Sequence, residues 1–152
     1  MIPNPLLSIL IVDDEMELAS LYKEYLETKG YEVVSFTNPL LALEYYKNNT
    51  KQFTHVLTDL RMPQRSGIEL TCKIRKIDQK VKIFLNTAFE IDDLTKDKGF
   101  ISAGMEMVIE KPVYLKNLNE YLNLSINQNN TDNMIRENSI QIFKLGFDKK
   151  YF

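Results

Sequence analysis

The sequence predicts an α/β fold built on a parallel β-sheet, and three observations lead to this class. Short continuous apolar runs, such as SILIV at residues 8–12 and VKIFL at residues 81–85, are typical of strands buried on both faces of a sheet. Between these runs lie segments whose apolar residues recur at helical spacing. Turn-forming residues separate the two kinds of segment. Strands that alternate with helices in this way imply a parallel sheet covered by helices on both faces.

Five strand–helix units follow one another over residues 1–126, which we take as one domain. The predicted strands are residues 8–12, residues 31–36, a run that ends at Asp59, residues 81–85 and residues 107–109. Right-handed crossovers leave few ways to arrange five such units. We predict a doubly wound, flavodoxin-like sheet with the strand order 2-1-3-4-5, whose ligand site lies at the switch point between the first and third strands.

Each helix has its own sequence signature. The first stops at a glycine, and the second begins at Pro39 with Asn38 as its N-cap. A third helix covers residues 67–77, and a weaker fourth covers residues 91–102, where Gly99 lowers the helix propensity. The apolar positions predicted to face the sheet are Leu18, Leu21, Tyr22, Tyr25, Leu26, Leu40, Leu43, Tyr45 or Tyr46, Ile68, Thr71 or Cys72, Ile74 or Arg75, Leu115, Leu118, Leu122 and Ile126.

Size and composition restrict the functions that are open to this chain. It has 152 residues, of which 44% are apolar and 26% charged, enough for one domain with a buried core. A net charge of −2 argues against a broad surface for nucleic acid. No apolar stretch approaches the ~20 residues of a membrane helix. Cys72 is the single cysteine, so an internal disulfide is excluded and a reducing, cytoplasmic location is expected.

The C-terminal residues predict a separate segment. Residues 127–133 (NQNNTDN) are polar and show no periodicity, which is typical of a linker. Apolar residues recur among positions 134–152, and these should not stay in water as one exposed patch. We therefore predict a short C-terminal extension that packs on the domain or pairs two copies in a homodimer.

The most informative segment is residues 53–67, FTHVLTDLRMPQRSG. Its apolar start predicts a buried strand that ends at Asp59, and Pro63 and Gly67 shape the loop that follows. Ligands bind at the carboxyl ends of the strands in parallel sheets of this kind. Asp59 is therefore placed where chemistry is expected, whereas His55, at the start of the same strand, is predicted to be structural.

Four predicted strand ends bring five reactive side chains to one edge of the sheet. They are Asp13 and Asp14 from the first strand, Asp59 from the third, Thr87 from the fourth and Lys111 from the fifth. Three carboxylates in one place repel one another and raise one another's pKa. A hard divalent cation such as Mg²⁺ relieves this repulsion, since it binds oxygen ligands together with phosphate. Phosphoryl transfer needs little beyond positioning and charge neutralisation, and an aspartate in line with a phosphodonor can itself be the nucleophile.

The segment DLRMPQRSG and its companion side chains resemble the receiver domain of two-component response regulators, over roughly residues 7–126. The resemblance implies a role for each of these positions. The roles are phosphoacceptor for Asp59, metal-binding acidic pair for Asp13 and Asp14, a further metal ligand for the backbone carbonyl of Arg61, switch hydroxyl for Thr87, and phosphate-pairing cation for Lys111, whose bond to Pro112 is often cis in the family.

The resemblance also implies what such a protein does. It implies a stand-alone response regulator that is phosphorylated on Asp59 in a Mg²⁺-dependent reaction, by a histidine kinase or a histidine phosphotransfer protein. A receiver catalyses only its own phosphorylation and dephosphorylation, so no enzyme activity on a separate substrate is expected. No familiar DNA-binding output domain follows residue 126, and signalling by contact with a downstream protein is expected.

Three further positions refine this expectation. Val108 stands three residues before the lysine, where the family usually has Tyr or Phe whose rotamer follows the switch threonine, so we expect a smaller rearrangement. In receivers, the residues two after the phosphoacceptor and two after the switch threonine flank the path by which water attacks the aspartyl-phosphate, and the resemblance assigns these positions to Arg61 and Phe89. Neither side chain can accept a proton from that water, so slow self-dephosphorylation is expected.

Three alternatives stay open on the sequence alone. A receiver-like interaction module that is no longer phosphorylated is compatible with Val108. An aspartyl-phosphate enzyme of the haloacid-dehalogenase type would need a second acid two residues after Asp59, where Arg61 stands. A flavodoxin-like flavin carrier would need a loop rich in glycine and hydroxyl groups after the first strand, where Asp13 and Asp14 would repel the phosphate.

Overall fold

A five-stranded parallel sheet forms the centre of the molecule. The structure, a computed structural model, describes residues 7–88, 94 and 96–126. The strands are β1 (Ser8–Val12), β2 (Glu32–Phe36), β3 (His55–Asp59), β4 (Lys82–Thr87) and β5 (Met107–Glu110). Their order is β2-β1-β3-β4-β5, and every pairing between neighbours is parallel. The predicted fold class and strand order are confirmed.

Five helices whose bounds the structure describes alternate with these strands. They are α1 (Met16–Thr28), α2 (Pro39–Asn48), α3 (Gly67–Ile77), α4 (Lys98–Ala103) and α5 (Leu115–Ile126). Side chains of α1 and α5 share one apolar cluster with the strands, and side chains of α2 and α3 share another. The helices therefore cover both faces of the sheet, as the strand–helix alternation predicted.

The two apolar clusters draw on the same strands. The cluster under α1 and α5 contains, among others, Ile9, Ile11, Tyr22, Leu26, Leu57, Phe84, Leu118 and Leu122. The cluster under α2 and α3 contains, among others, Leu10, Val12, Leu43, Tyr46, Val56, Leu70, Ile74 and Ile83. Because successive strand residues point to opposite faces, a continuous apolar run fills both clusters at once.

Two helix starts follow the signals in the sequence. The side-chain oxygen of Asn38 accepts hydrogen bonds from the backbone N–H groups of Leu40 at 2.9 Å and Leu41 at 3.3 Å, which confirms it as the N-cap of α2. The hydroxyl of Ser66 accepts from the N–H of Glu69 at 3.1 Å and caps α3 in the same way. Both caps satisfy backbone donors that the helix itself leaves unpaired.

The prediction of one helix over residues 91–102 was wrong. Asp97 has an extended backbone, with φ −78° and ψ 122°, and its carboxylate accepts from the N–H groups of Gly99 at 2.8 Å and Phe100 at 3.1 Å. A short acidic side chain competes in this way for backbone donors, so it starts a helix instead of continuing one. The helix α4 therefore begins after Asp97, and residues 89–93 and 95 lie outside the described residues.

Some predicted core positions were also wrong. The side chains of Leu21 and Leu40 are 47% and 42% exposed. Each stands beside a residue that is buried, Tyr22 in the first case and Pro39 in the second. Neighbouring helix positions point about 100° apart, and Leu21 and Leu40 fall outside the buried face of their helices. On α3, Leu70 is fully buried, although the sequence analysis did not select it.

The C-terminal residues 127–152 lie outside the described residues, so the polar linker and the apolar extension stay predictions. The boundary of the domain at residue 126 likewise stays a prediction. Within the described part of the chain, each helix is too short or too polar to cross a lipid bilayer.

Candidate functional site

The carboxyl edge of the sheet begins with Asp13, the residue after β1. Its N–H donates to the carbonyl of Phe36 at 3.1 Å, which extends the pairing of β1 with β2 by one residue. Its carboxylate accepts from the N–H of Glu15 at 2.9 Å, just before α1 starts. Asp13 is only 2% exposed, whereas the neighbouring Asp14 is exposed. The acidic pair thus presents one buried and one solvent-facing carboxylate.

Asp59 is the last residue of β3, next to β1 in the sheet. It is 8% exposed, and its Oδ1 accepts from the N–H of Leu60 at 3.0 Å. The same N–H donates to the carbonyl of Asn86 at 3.1 Å. One backbone N–H therefore links the Asp59 carboxylate to the end of β4.

Gly67 packs directly against the backbone of Asp59. A Cβ atom built on Gly67 would lie 2.1 Å from the carbonyl oxygen of Asp59, closer than real Cβ atoms come to other atoms. The N–H of Gly67 donates to the carbonyl of Leu60 at 2.7 Å. The sequence predicted that Gly67 shapes this loop, and the close contact explains why a residue without a side chain stands there.

Lys111 brings a positive charge between two of the carboxylates. Its Nζ lies 3.1 Å from Oδ2 of Asp13 and 3.3 Å from Oδ1 of Asp59. A weaker contact of 3.8 Å joins it to the exposed Glu15. The Lys111 side chain is 12% exposed, and its bond to Pro112 is cis. Residues from the first, third and fifth strands thus meet, as the sequence predicted.

Thr87 and Arg61 complete the predicted set. Thr87 is the last residue of β4 and is fully buried, and its carbonyl accepts from the N–H of Lys111 at 2.7 Å. Arg61 lies in the loop after β3 with an exposed side chain. A metal-ligand role for its carbonyl stays a prediction. Phe89, expected beside the site, lies outside the described residues.

Burial disfavours the charged form of each side chain at this edge. The charges and hydrogen bonds of neighbouring residues oppose or add to this effect on the pKa. Burial raises the pKa of the Asp59 carboxyl to about 6; Lys111 opposes this shift, and the charge of Asp13 adds to it. Burial also raises the pKa of Asp13, against the hydrogen bond from Glu15 and the charge of Lys111. For Lys111, burial acts to lower the pKa, but Asp13 and Asp59 outweigh it and the pKa is raised.

The three carboxylates are close enough to share a cation. One ligand oxygen from each of Asp13, Asp14 and Asp59 lies within 4.8 Å of the others. Carboxylate oxygens are the ligands that Mg²⁺ prefers, and one or two of them suffice when a phosphate supplies further oxygens. This donor set, with a raised pKa on its buried members, fits a hard divalent cation.

Two polar residues beneath the site were missed by the sequence analysis. The amide nitrogen of Asn86 donates to the hydroxyl oxygen of Tyr22 at 3.0 Å, and both residues are at most 2% exposed. Tyr22 was assigned to the apolar face of the first helix, because its spacing matches that face. The one available signal was an amide side chain that directly follows the apolar run of the fourth strand.

Val108, at the position where an aromatic residue was expected, is buried in a third apolar cluster. It packs there with Leu60, Leu85 and Leu94, and Phe100 lies against the same cluster. A β-branched side chain has little rotamer freedom. The expectation of a smaller rearrangement at this position stays a prediction.

Comparison with known proteins identifies one family. The response regulator receiver domain matches residues 9–123 of this chain. The response regulator receiver protein CpdR of Brucella abortus is 32% identical over 110 residues, which are 72% of this chain and 88% of that protein. Several other relatives are much longer: the chain spans only 8% of the hybrid signal transduction histidine kinase I of Dictyostelium discoideum, with 30% identity over 149 residues.

Solved structures agree with the family match. A response regulator receiver domain protein from Clostridium thermocellum is similar with a TM-score of 0.72 and 28% identity, covering 81% of this chain and 96% of that chain. The CheX–CheY–BeF3–Mg complex of Borrelia burgdorferi contains a similar chain with a TM-score of 0.71 and 20% identity, covering 79% of this chain and 89% of that one. The second likeness concerns the fold alone.

Proposed function

This chain belongs to the response regulator receiver family, and from that premise we propose that it is a phosphorylation-driven switch whose phosphoacceptor is Asp59. The observation that carries the proposal is the arrangement at the carboxyl edge of the sheet. A buried carboxylate lies 3.3 Å from the Lys111 ammonium, beside two further acids whose oxygens lie within 4.8 Å. Phosphoryl transfer needs positioning and charge neutralisation, and this set supplies both.

In the proposed reaction, a carboxylate oxygen of Asp59 attacks the phosphorus of a phosphohistidine on the partner. The new O–P bond forms as the P–N bond breaks, and the imidazole leaves as a neutral ring after taking up a proton. A pKa of about 6 leaves the Asp59 carboxyl ionised, and therefore nucleophilic, at pH 7. The reaction is a group transfer to the chain itself, so no separate substrate is turned over.

Asp13, Asp14 and Asp59 would hold a bound Mg²⁺, with the backbone carbonyl of Arg61 as a further ligand. The ion supplies positive charge against the phosphoryl oxygens. The residues of the chain supply the remaining contacts. Lys111 lies where its ammonium can pair with a phosphoryl oxygen in place of a carboxylate, and Thr87, at the end of β4, can donate its hydroxyl to another.

The partners follow from this chemistry. The phosphodonor is a histidine kinase or a histidine phosphotransfer protein in the cytoplasm, and the output is contact with a downstream protein. As a second candidate, the chain is a receiver-like interaction module that is not controlled by phosphorylation. The buried Val108, in the place of the usual aromatic switch residue, favours this second candidate.

Intact mass measurement separates the two candidates. We expect the purified protein, mixed with Mg²⁺ and a small-molecule phosphodonor, to gain the mass of one phosphoryl group, and only when Mg²⁺ is present. Asp59→Asn should abolish the gain. Asp97→Asn, which alters the exposed N-cap of α4, is the control and should label like the parent. An unlabelled parent, or normal labelling of Asp59→Asn, would contradict the proposal.

A further inference from the structure

The buried pair formed by Tyr22 and Asn86 is a polar feature among largely apolar side chains. Tyr22 comes from α1 and Asn86 from β4, and the amide nitrogen donates to the hydroxyl oxygen at 3.0 Å. Around them pack apolar side chains such as Ile11, Leu57 and Ile109. Burying an amide and a hydroxyl costs free energy that one hydrogen bond only partly returns. Stability alone would therefore favour an apolar pair at these positions.

The pair is also incompletely satisfied. Within the described residues, the side-chain oxygen of Asn86 is buried and has no hydrogen-bond partner. In native proteins each such group calls for a reason, and a functional role is one of the usual reasons. The hydrogen bond thus joins α1 to β4, although a neighbouring buried oxygen of Asn86 is left unpaired.

The pair is linked to the strand ends that carry the carboxylates and Lys111. Asn86 lies opposite Asp59 in the register of β3 and β4, and its carbonyl accepts from the N–H of Leu60, which also donates to the Asp59 carboxylate. The next residue, Thr87, accepts from the N–H of Lys111. Tyr22 lies on α1, the helix that follows the acidic pair.

The charged residues of the candidate site also interact electrostatically with Tyr22. The charges of Lys111, Asp13 and Asp59 all act on its hydroxyl. The Tyr22 ring is 2% exposed, so solvent does little to screen these charges. The charges of the cluster therefore reach the Tyr22 hydroxyl through a poorly screened interior.

We propose that Tyr22 and Asn86 are positioning residues for the metal site: their hydrogen bond fixes the distance between α1 and the end of β4, and with it the spacing of the carboxylates that take up Mg²⁺. This inference rests on the proposed function for the identity of the cation. Residues that orient the ligands of a metal, without touching the metal, commonly change metal affinity 10- to 100-fold when they are replaced.

The test measures Mg²⁺ binding to the unphosphorylated protein, by NMR titration of backbone amide signals with MgCl₂. We expect Tyr22→Phe, which removes only the hydroxyl, to raise the Kd for Mg²⁺ about tenfold. The double variant Tyr22→Phe with Asn86→Leu replaces both polar partners by apolar ones. We expect it to recover the parent's free energy of unfolding but to keep the weakened Mg²⁺ affinity, since apolar packing does not restore the hydrogen bond.

Tyr31 provides a matched control. It is a buried tyrosine of the same apolar cluster, 4% exposed, and its hydroxyl donates to the side-chain oxygen of Asn123 at 3.2 Å. It lies just before β2, at the amino edge of the sheet. Tyr31→Phe should lower stability slightly and leave the Kd for Mg²⁺ unchanged.

Each outcome of the titration decides the inference. A parent-like Kd in Tyr22→Phe, or recovery of both stability and Kd in the double variant, would show that the pair is structural only. An equal loss of affinity in Tyr31→Phe would contradict positioning, as would a parent protein that binds no Mg²⁺. A parent that binds Mg²⁺ but gains no phosphoryl mass would overturn the proposed function. In that case the Kd values of the variants would still decide whether Tyr22 and Asn86 position the metal site.

Discussion

Strand β3 has a buried ionisable residue at each end, and the two residues differ in their charge at neutral pH. The strand begins at His55, which is 1% exposed, and ends at Asp59, which is 8% exposed. Burial disfavours the charged form of both side chains: it lowers the pKa of His55 to about 4 and raises that of Asp59 to about 6. At neutral pH the histidine is therefore uncharged, whereas the aspartate is ionised.

The surroundings of the two residues explain the difference. His55 stacks on the ring of Phe84 with a centroid distance of 5.9 Å, meets Tyr31 edge-on at 6.2 Å, and shares a hydrogen bond of 2.7 Å with the hydroxyl of Thr54. Asp59 instead lies among charges, with Lys111 as its partner. The amino edge of the sheet is thus arranged for stability, and the carboxyl edge keeps an unfavourable charge that a ligand can relieve.

The largest loss of stability is expected from a steric clash at the carboxyl edge of the sheet. In Gly67→Ala the new methyl group would lie 2.1 Å from the carbonyl oxygen of Asp59, and backbone atoms would have to move. We expect the free energy of unfolding to fall by about 4 kcal/mol or more, measured by urea titration. Gly99→Ala is the control: its nearest contacts are 3.1 Å away and lie on side chains, so a much smaller change is expected. A parent-like stability in Gly67→Ala would contradict the close packing described here.

Acid should destabilise the protein through His55. Its pKa is about 4 in the folded state, below the ordinary value of 6.5, so unfolding takes up a proton between these values and stability falls as the pH drops from 6.5 to 4. The full effect corresponds to about 3 kcal/mol. The measurement is the free energy of unfolding of the parent and of His55→Gln across this range. Equal pH slopes in the two proteins would show that His55 is not the responsible group.

The contribution of Asp59 to stability should depend on pH in the opposite direction. Its pKa in the folded state is raised to about 6 from 3.8, so the folded protein loses stability as the pH rises through this range. In metal-free buffer at pH 7, Asp59→Asn should therefore raise the free energy of unfolding by about 2 to 3 kcal/mol. Asp14→Asn, at an exposed position, should change it little. A destabilised Asp59→Asn would mean that the ion pair with Lys111 outweighs the cost of burial.

A smaller loss of stability is expected when hydrogen bonds at the amino edge of the sheet are weakened. The Arg75 guanidinium donates to the carbonyls of Val81 at 2.7 Å, Ala103 at 3.0 Å and Gly104 at 3.1 Å, and so joins α3 to the end of α4. Lysine cannot reproduce this planar set of donors, and Arg75→Lys should cost about 1 to 2 kcal/mol. Thermal unfolding and intact-mass labelling check this together: Tm should fall, while labelling at Asp59 should match the parent. A loss of labelling would show that a change at the amino edge also affects the reaction at the carboxyl edge, contrary to this expectation.

The strands and the main site were accessible from the sequence because both leave local signals. A run such as SILIV is apolar at every position, and Asp13, Asp59 and Lys111 each stand directly after or close to such a run. The sheet order then places them together, since the carboxyl ends of parallel strands share one edge.

What the sequence could not supply depends on contacts between distant segments. The hydrogen bond between Tyr22 and Asn86 joins residues 64 positions apart, and periodicity assigns Tyr22 to an apolar face in any case. The start of α4 was missed because the capping role of Asp97 depends on backbone geometry, which the residue type alone does not fix. The exposure of Leu21 reflects the rotation of α1 about its axis, which is set by packing.

Lys111 gives the carboxyl edge a counter-ion of its own. Its ammonium lies 3.1 Å from Asp13 and 3.3 Å from Asp59, two of the three carboxylates that could hold a divalent ion. An entering ion meets charge that is already partly neutralised, so it gains less than it would from three bare carboxylates. We expect metal loading to be weak and rapidly reversible as a result. We therefore expect Lys111 to raise the Mg²⁺ concentration at which the proposed site is half loaded, because its ammonium already neutralises part of the charge on Asp13 and Asp59.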